Sequence, residues 1–178
     1  MNGKGEPKLI FPGLAGFYAS VSDLWYPMIR FAIGAILFMH GYFKLANLGI
    51  ARVAANFGTN YGLPMPTFLA YAAVFLETVG AICIAIGLFT RFFAAAIAIE
   101  LLIALFAAHW VKGFSVSAGG YEYVLFLGIV MFAIALRGGG PYSVEPPDRK
   151  RALTTEPARA DGREAPSRRP TVRALTSR

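Results

Sequence analysis

The sequence predicts an all-α integral membrane protein, a four-helix bundle with both termini on the cytoplasmic side and a disordered basic tail. Three observations predict this. Of the 178 residues, 56% are hydrophobic and only 15% charged, whereas a soluble domain carries about 25% charged residues. Four stretches are apolar over, or nearly over, the roughly 20 residues that a helix needs to cross the hydrocarbon core. The charge is also unevenly spread: residues 1–136 hold seven basic and five acidic side chains, and residues 137–178 hold ten and five. The chain is therefore an apolar body of formal charge +2 followed by a tail of +5.

Residues 1–23 read as an N-terminal cytoplasmic or interfacial segment. Its stretch LIFPGLAGFYASVSDLW is broken by Pro12, Gly13 and Gly16 and carries Asp23, so it lacks the unbroken apolar run of a signal peptide. The first span comes next at about 24–46, LWYPMIRFAIGAILFMHGYFKLA. The loop 47–66 contains ANFGTNYGLPMP, whose Gly, Pro and Asn favour turns, with a short interfacial helix over 48–57. The second span is about 67–89, and a tight hairpin leads to the third at about 91–112. The fourth, about 121–137, is short but apolar after Glu122. Residues 24–145 thus form the transmembrane domain. After the stretch GGGPYSVEPP the apolar period is lost, and 146–178 reads as disordered.

Basic residues orient such a chain, because cytoplasmic loops collect Lys and Arg. Placing Lys4, Lys8, Arg91 and the tail inside leaves only Lys44, Arg52 and Lys112 outside. Trp25, Tyr26, Phe92 and Phe93 then mark the inner interface, and Trp110, Tyr121 and Tyr123 the outer one. This arrangement suits a multi-pass protein of a bacterial-type inner (plasma) membrane. Small residues such as Gly34, Gly41, Gly80 and Gly87 would let the helices approach closely.

Several function classes are disfavoured. The pI of 9.8 belongs mostly to the tail, and no basic stripe lies among base-stacking aromatics, so no nucleic-acid partner is expected. Cys83 is the only cysteine, which excludes an internal disulfide or dithiol relay. No nucleophile triad or dinucleotide fingerprint appears, and the glycines 138–140 do not open a helix that would cradle phosphate. No HExxH-type spacing is present, so no metal is expected.

Four ionisable residues fall well inside the spans: Arg30, His40, Glu77 and Glu100. Each charge near the bilayer centre costs about 3 kcal/mol or more unless it finds a partner or water. Arg30, Glu77 and Glu100 are expected as structural buried charges, with Arg30 paired to one of the two carboxylates; which one stays open. Glu77 has a second reading, as a group that handles a proton or a polar head group. Residues 30, 37 and 44 share one face of the first helix, His40 flanks it, and Gly41 leaves the surface open to a neighbour or ligand. Taken singly, Lys44 reads as snorkelling to the interface and His40 as a core histidine. His109, Trp110, Lys112, Tyr121 and Glu122 fall at the same outer level, however. Together these residues suggest a polar, aromatic-lined cup opening outward, suited to a quinone or another polar-headed lipophile. The expected quinone contacts are His40, Lys44, His109, Tyr121 and Glu122, and the catalytic candidates are His40, Lys44 and Glu77.

Several spaced features together resemble the DoxX family of small four-helix membrane proteins, over roughly residues 24–145. They are Arg30 followed by His40-Gly41 and Lys44, Glu77 with Gly80, GLFTR at 87–91, and GGGPYSVE at 138–145. In the last motif Glu145 stands where the family usually has Asp, and Gly139 replaces a common Pro. The resemblance implies a membrane partner in oxidoreductase complexes linked to sulfur and oxidative-stress chemistry, as in the membrane subunit of thiosulfate:quinone oxidoreductase. It marks Arg30, His40, Lys44 and Glu77 as the positions of interest. The resulting expectation is a redox-complex subunit, rather than a self-contained enzyme, that presents a quinone site to a partner oxidoreductase. It would have no intrinsic cofactor, with the bilayer and a redox protein as partners and self-association left open. Two rival expectations are a non-catalytic assembly or chaperone-like membrane partner, and a small proton-coupled transporter using Glu77 and Glu100.

Overall fold

The computed structural model describes residues 11–145; the expectation of a disordered tail over 146–178 lies outside the described residues. Among the described residues there is no strand, and six helices succeed one another, with short 3-10 turns at Pro12–Leu14 and Val116–Ala118 between or before them. They are α1 Ala15–Val21, α2 Trp25–Leu48, α3 Ile50–Thr59, α4 Pro66–Ile86, α5 Thr90–Lys112 and α6 Glu122–Arg137. Helices α2, α4 and α5 are long and apolar enough to cross a membrane. Helix α6 is equally apolar in character but has 16 residues. Helix α1, for which the sequence gives no clear signal, lies in the segment read as interfacial and buries no side chain.

Local chemistry explains where the helices stop. α4 begins at Pro66, one residue before the expected start, because the fixed φ of proline suits the first helical position. It ends at Ile86, three residues before the expected end. Gly87, at φ +78°, turns its own N–H back to Ile84 O (3.2 Å) and presents that of Leu88 to Cys83 O (2.8 Å).

The core is built from alternating contacts of three pairs. Ile97, Leu101 and Leu105 of α5 pack with Val124, Leu127, Met131 and Ile134 of α6. Ile33 and Leu37 of α2 pack with Ala81 and Ile84 in the second half of α4. Val53 and Ala54 of α3 close on Ala70 in the first half of α4. The α2–α4 approach is close enough to require glycine. A Cβ on Gly34 would lie 2.7 Å from Ala81 O, and one on Gly41 would lie 2.8 Å from the Glu77 carbonyl carbon. Large apolar side chains such as Phe31, Phe68, Ile99, Phe126 and Phe132 point outward, the arrangement expected where the surrounding solvent is lipid.

Each of the three long helices contains one widened turn, in which a backbone hydrogen bond spans five residues. Gly49 N–H bonds Lys44 O, Ala81 N–H bonds Leu76 O, and Trp110 N–H bonds Leu105 O. Such turns rotate the residues beyond them relative to a regular helix and recur at functional sites.

One end of the bundle gathers Arg30, Arg91 and Arg137 under the segment 138–145, which returns across it. Val144 and Glu145 N–H donate to Ile86 O and Gly87 O at 3.2 and 3.1 Å. The Tyr26 hydroxyl donates to Gly138 O, and Thr90 N–H donates to the Glu145 carboxylate at 3.4 Å. Arg30 is fully buried beneath this strap. Its Nη2 donates to Tyr142 O at 3.1 Å, and its guanidinium lies 5.5 Å from the Tyr26 ring centre. A Cβ on Gly87 would collide with Arg30 Nη1. The expected Arg30–carboxylate pair is therefore corrected: Arg30 binds the strap. Glu77 lies against Gly41 instead, eleven positions further along α2 and so about 16 Å away at 1.5 Å per residue.

Candidate ligand site

At the opposite end, Gly41 lets the α2 backbone lie directly on the widened turn of α4. Lys44 comes three residues after Gly41, so its side chain arrives at the same turn. Its Nζ sits 2.6 Å from both carboxylate oxygens of Glu77. Glu77 is buried, and Lys44 retains about a quarter of its side-chain exposure. This pair is the partner that the sequence left unassigned to Glu77. It answers the charge cost of both groups with a two-pronged, charge-assisted contact.

The pair forms part of the wall of a cavity of about 830 Å³. α4 contributes Ala72, Ala73 and Leu76 beside Glu77. α5 contributes Ala96, Ile99, Glu100, Ile103, Ala104 and His109. The short helix α3 supplies Arg52 and Asn56, with Asn60 and Tyr61 just beyond it. Glu100 is the unusual member. Its Oε2 is buried and has no hydrogen-bond partner, although Lys44 and Glu77 both lie within coulombic range. A buried oxygen without a partner is costly, and Glu100 carries that cost within the cavity lining. His109 is oriented by Nδ1, 2.7 Å from Gly119 O; if Nδ1 is the donor in that bond, Nε2 is the ring nitrogen left to accept.

The residues expected at an outer cup are thus divided. Lys44 and His109 line the cavity, together with Glu77 and Glu100. His40, Tyr121 and Glu122 do not. His40 is exposed, with its ring 6.0 Å from that of Tyr123 on α6. Tyr121 stacks on Trp110 at 5.0 Å and meets Phe114 edge-on. Glu122 accepts the Val116 N–H at 3.1 Å and so closes the α5–α6 loop. These three side chains therefore lie outside the cavity lining. Conversely, sequence reasoning gives Glu100 a structural part, or a place in a proton path with Glu77, but no place in the quinone site, and passes over Arg52, Asn56 and Tyr61. The spacing of Ile50, Val53, Ala54 and Phe57, one apolar helical stripe, was the available signal that α3 packs on α4 and turns its polar side elsewhere.

The fold and the cavity define a class: a multi-pass helical membrane protein with a polar cluster set between apolar helices. The chain carries a DoxX domain, matched by the DoxX family model over residues 27–110, which supports its membership of that family. That stretch contains Arg30, Lys44, Glu77 and Glu100. No curated protein and no solved structure matches the chain.

Proposed function

We propose that this protein is the membrane subunit of a redox complex and holds a quinone-type head group for a partner oxidoreductase. The observation that carries this reading is the half-open cavity whose alanine-rich lining includes both the Lys44–Glu77 pair and the unpartnered Glu100 oxygen. Ligand sites of this kind are mostly apolar, with a few convergent polar groups. Lys44 is a donor beside the cavity, Glu100 an unsatisfied carboxyl, and His109 a ring nitrogen at its outer end. These groups suit the carbonyl or hydroxyl oxygens of a quinone or quinol. The donor chemistry falls to the partner, since Cys83 alone provides no dithiol.

The proposed setting is a bacterial-type plasma membrane with both termini cytoplasmic and α6 as the fourth span. Sixteen helical residues rise about 24 Å, short of the usual core but within reach of a locally thinned bilayer. Arg91 and Arg137 gather at the end that would face the cytoplasm.

The test is a titration of the full-length protein in lipid nanodiscs with 2,3-dimethoxy-5-methyl-1,4-benzoquinone, read by quenching of tryptophan fluorescence. Saturable binding, weakened at least tenfold in Lys44→Ala and Glu100→Leu, is the expected outcome. Absence of saturable binding, or wild-type affinity in both variants, overturns the proposal.

A further inference from the structure

We propose that the ligand of this cavity carries a hydrocarbon tail and is drawn sideways from the bilayer, through a cleft between α4 and α5. The inference rests on the quinone-type reading of the head-group site and adds the route and the tail. α4 meets α5 along Leu76–Ile86 and draws away from it over Pro66–Phe75. The hairpin is therefore closed near its turn and splayed towards the other end. Between the splayed halves lie the cavity's alanines: Ala72 and Ala73 on α4, and Ala96, Ala104 and Ala107 on α5. Small side chains there leave a slot instead of filling it.

The slot leads to lipid rather than to water. Ile99 and Ile103 line the cavity and are 60% and 44% exposed, so they belong to both the cavity wall and the outer, lipid-facing surface. The polar members of the lining are arranged the other way. Glu77 and Glu100 lie near the middles of their helices, and Arg52, Asn56 and Asn60 lie along and just beyond α3. α3 itself is tied to the first half of α4 by Val53, Ala54 and Ala70, which closes that flank. A molecule reaching Glu100 through the slot would have its polar end at the carboxyls and its apolar remainder between Ile99, Ile103 and Ala72. A wholly water-soluble ligand would leave this apolar opening uncovered. A tail continuous with the acyl chains covers it and makes the passage one from lipid to an apolar wall, with no aqueous step.

The experiment uses the full-length protein in nanodiscs and two probes with the same ring: the tail-less benzoquinone above, and an analogue with a ten-carbon tail bearing a diazirine. After illumination, mass spectrometry locates the adduct. Labelling confined to residues 69–76 and 96–107, and suppressed by excess untagged decyl analogue, is expected. Replacing Ala104 with Phe, which fills the slot, should lower labelling by the tailed probe at least fivefold. Should that variant fail to fold, the wild-type labelling map still decides the matter. Adducts on α3 or on the 113–121 loop, with tail-less binding intact, overturn the lateral route and leave the head-group site standing. Failure of both probes to bind overturns the route and the functional reading together.

Discussion

Glu77 and Glu100 are the same residue type, near the middles of adjacent helices, yet neutralising them is expected to shift stability in opposite directions. Glu77 holds Lys44 through both oxygens at 2.6 Å and is almost fully buried. Glu77→Gln leaves an ammonium without its counter-charge. Removing one partner of a fully buried pair costs about 3–5 kcal/mol. Lys44 keeps 25% of its side chain exposed, so some solvation returns, and the expected loss is about 2–3 kcal/mol. Glu100 presents the reverse case. Its Oε2 is buried without a hydrogen bond, and such a group carries a penalty of about 1–3 kcal/mol. Glu100→Leu removes the orphan and supplies apolar surface, so the apo protein should gain about 1–2 kcal/mol, the upper part of that range being lost to imperfect packing. The assay is reversible unfolding in mixed micelles with increasing SDS, monitored by far-UV circular dichroism, for wild type, Glu77→Gln and Glu100→Leu. A variant that is more stable yet loses the ligand is the signature of a functional group kept at a structural cost. If Glu100→Leu destabilises by about 1 kcal/mol or more, the carboxyl has a structural partner and the site argument fails at its centre.

The same geometry sets four further outcomes. Arg30→Met and Glu77→Gln should add in the double variant to within about 0.5 kcal/mol in the same unfolding assay, because Arg30 binds Tyr142 O and not Glu77; a larger coupling would restore the discarded pair. Gly41→Val should cost about 1–3 kcal/mol and lower head-group affinity as well, since its Cβ would press on the Glu77 backbone at 2.8 Å and drive apart the helices that join Lys44 to Glu77. Gly87→Ala should be worse than Gly80→Ala in thermal unfolding, because the former collides with Arg30 Nη1 at φ +78°, while the latter meets no atom nearer than Phe93 Cδ1 at 3.0 Å. His40→Ala should leave benzoquinone affinity within about twofold, as His40 lies outside the cavity lining; a tenfold loss would move the site to the α2–α6 flank.

Much of this protein was legible in the amino-acid sequence. Apolar length alone separates the long helices α2, α4 and α5, because a membrane-crossing helix must satisfy its own backbone over a set distance. Pro66 and Gly87 bracket α4 through their own backbone chemistry. The buried charges were also conspicuous, since an ionisable residue in such a span is expensive wherever it points. A span cannot carry the identity of its partner. Arg30 was matched to a carboxylate because opposite charges attract, yet its position is decided by residues 138–145, which fold back across one end and offer the Tyr142 carbonyl. The faces beyond Lys44, Leu76 and Leu105 were also hidden. A widened turn in each long helix rotates the residues after it relative to a regular 3.6-residue period, and no local composition announces it. Only the packed bundle sets Lys44 on Glu77, leaves Glu100 in the same cavity lining without a hydrogen bond at Oε2, and sends His40, Tyr121 and Glu122 elsewhere. Helix existence is a property of the segment, whereas the site is a property of how three helices diverge.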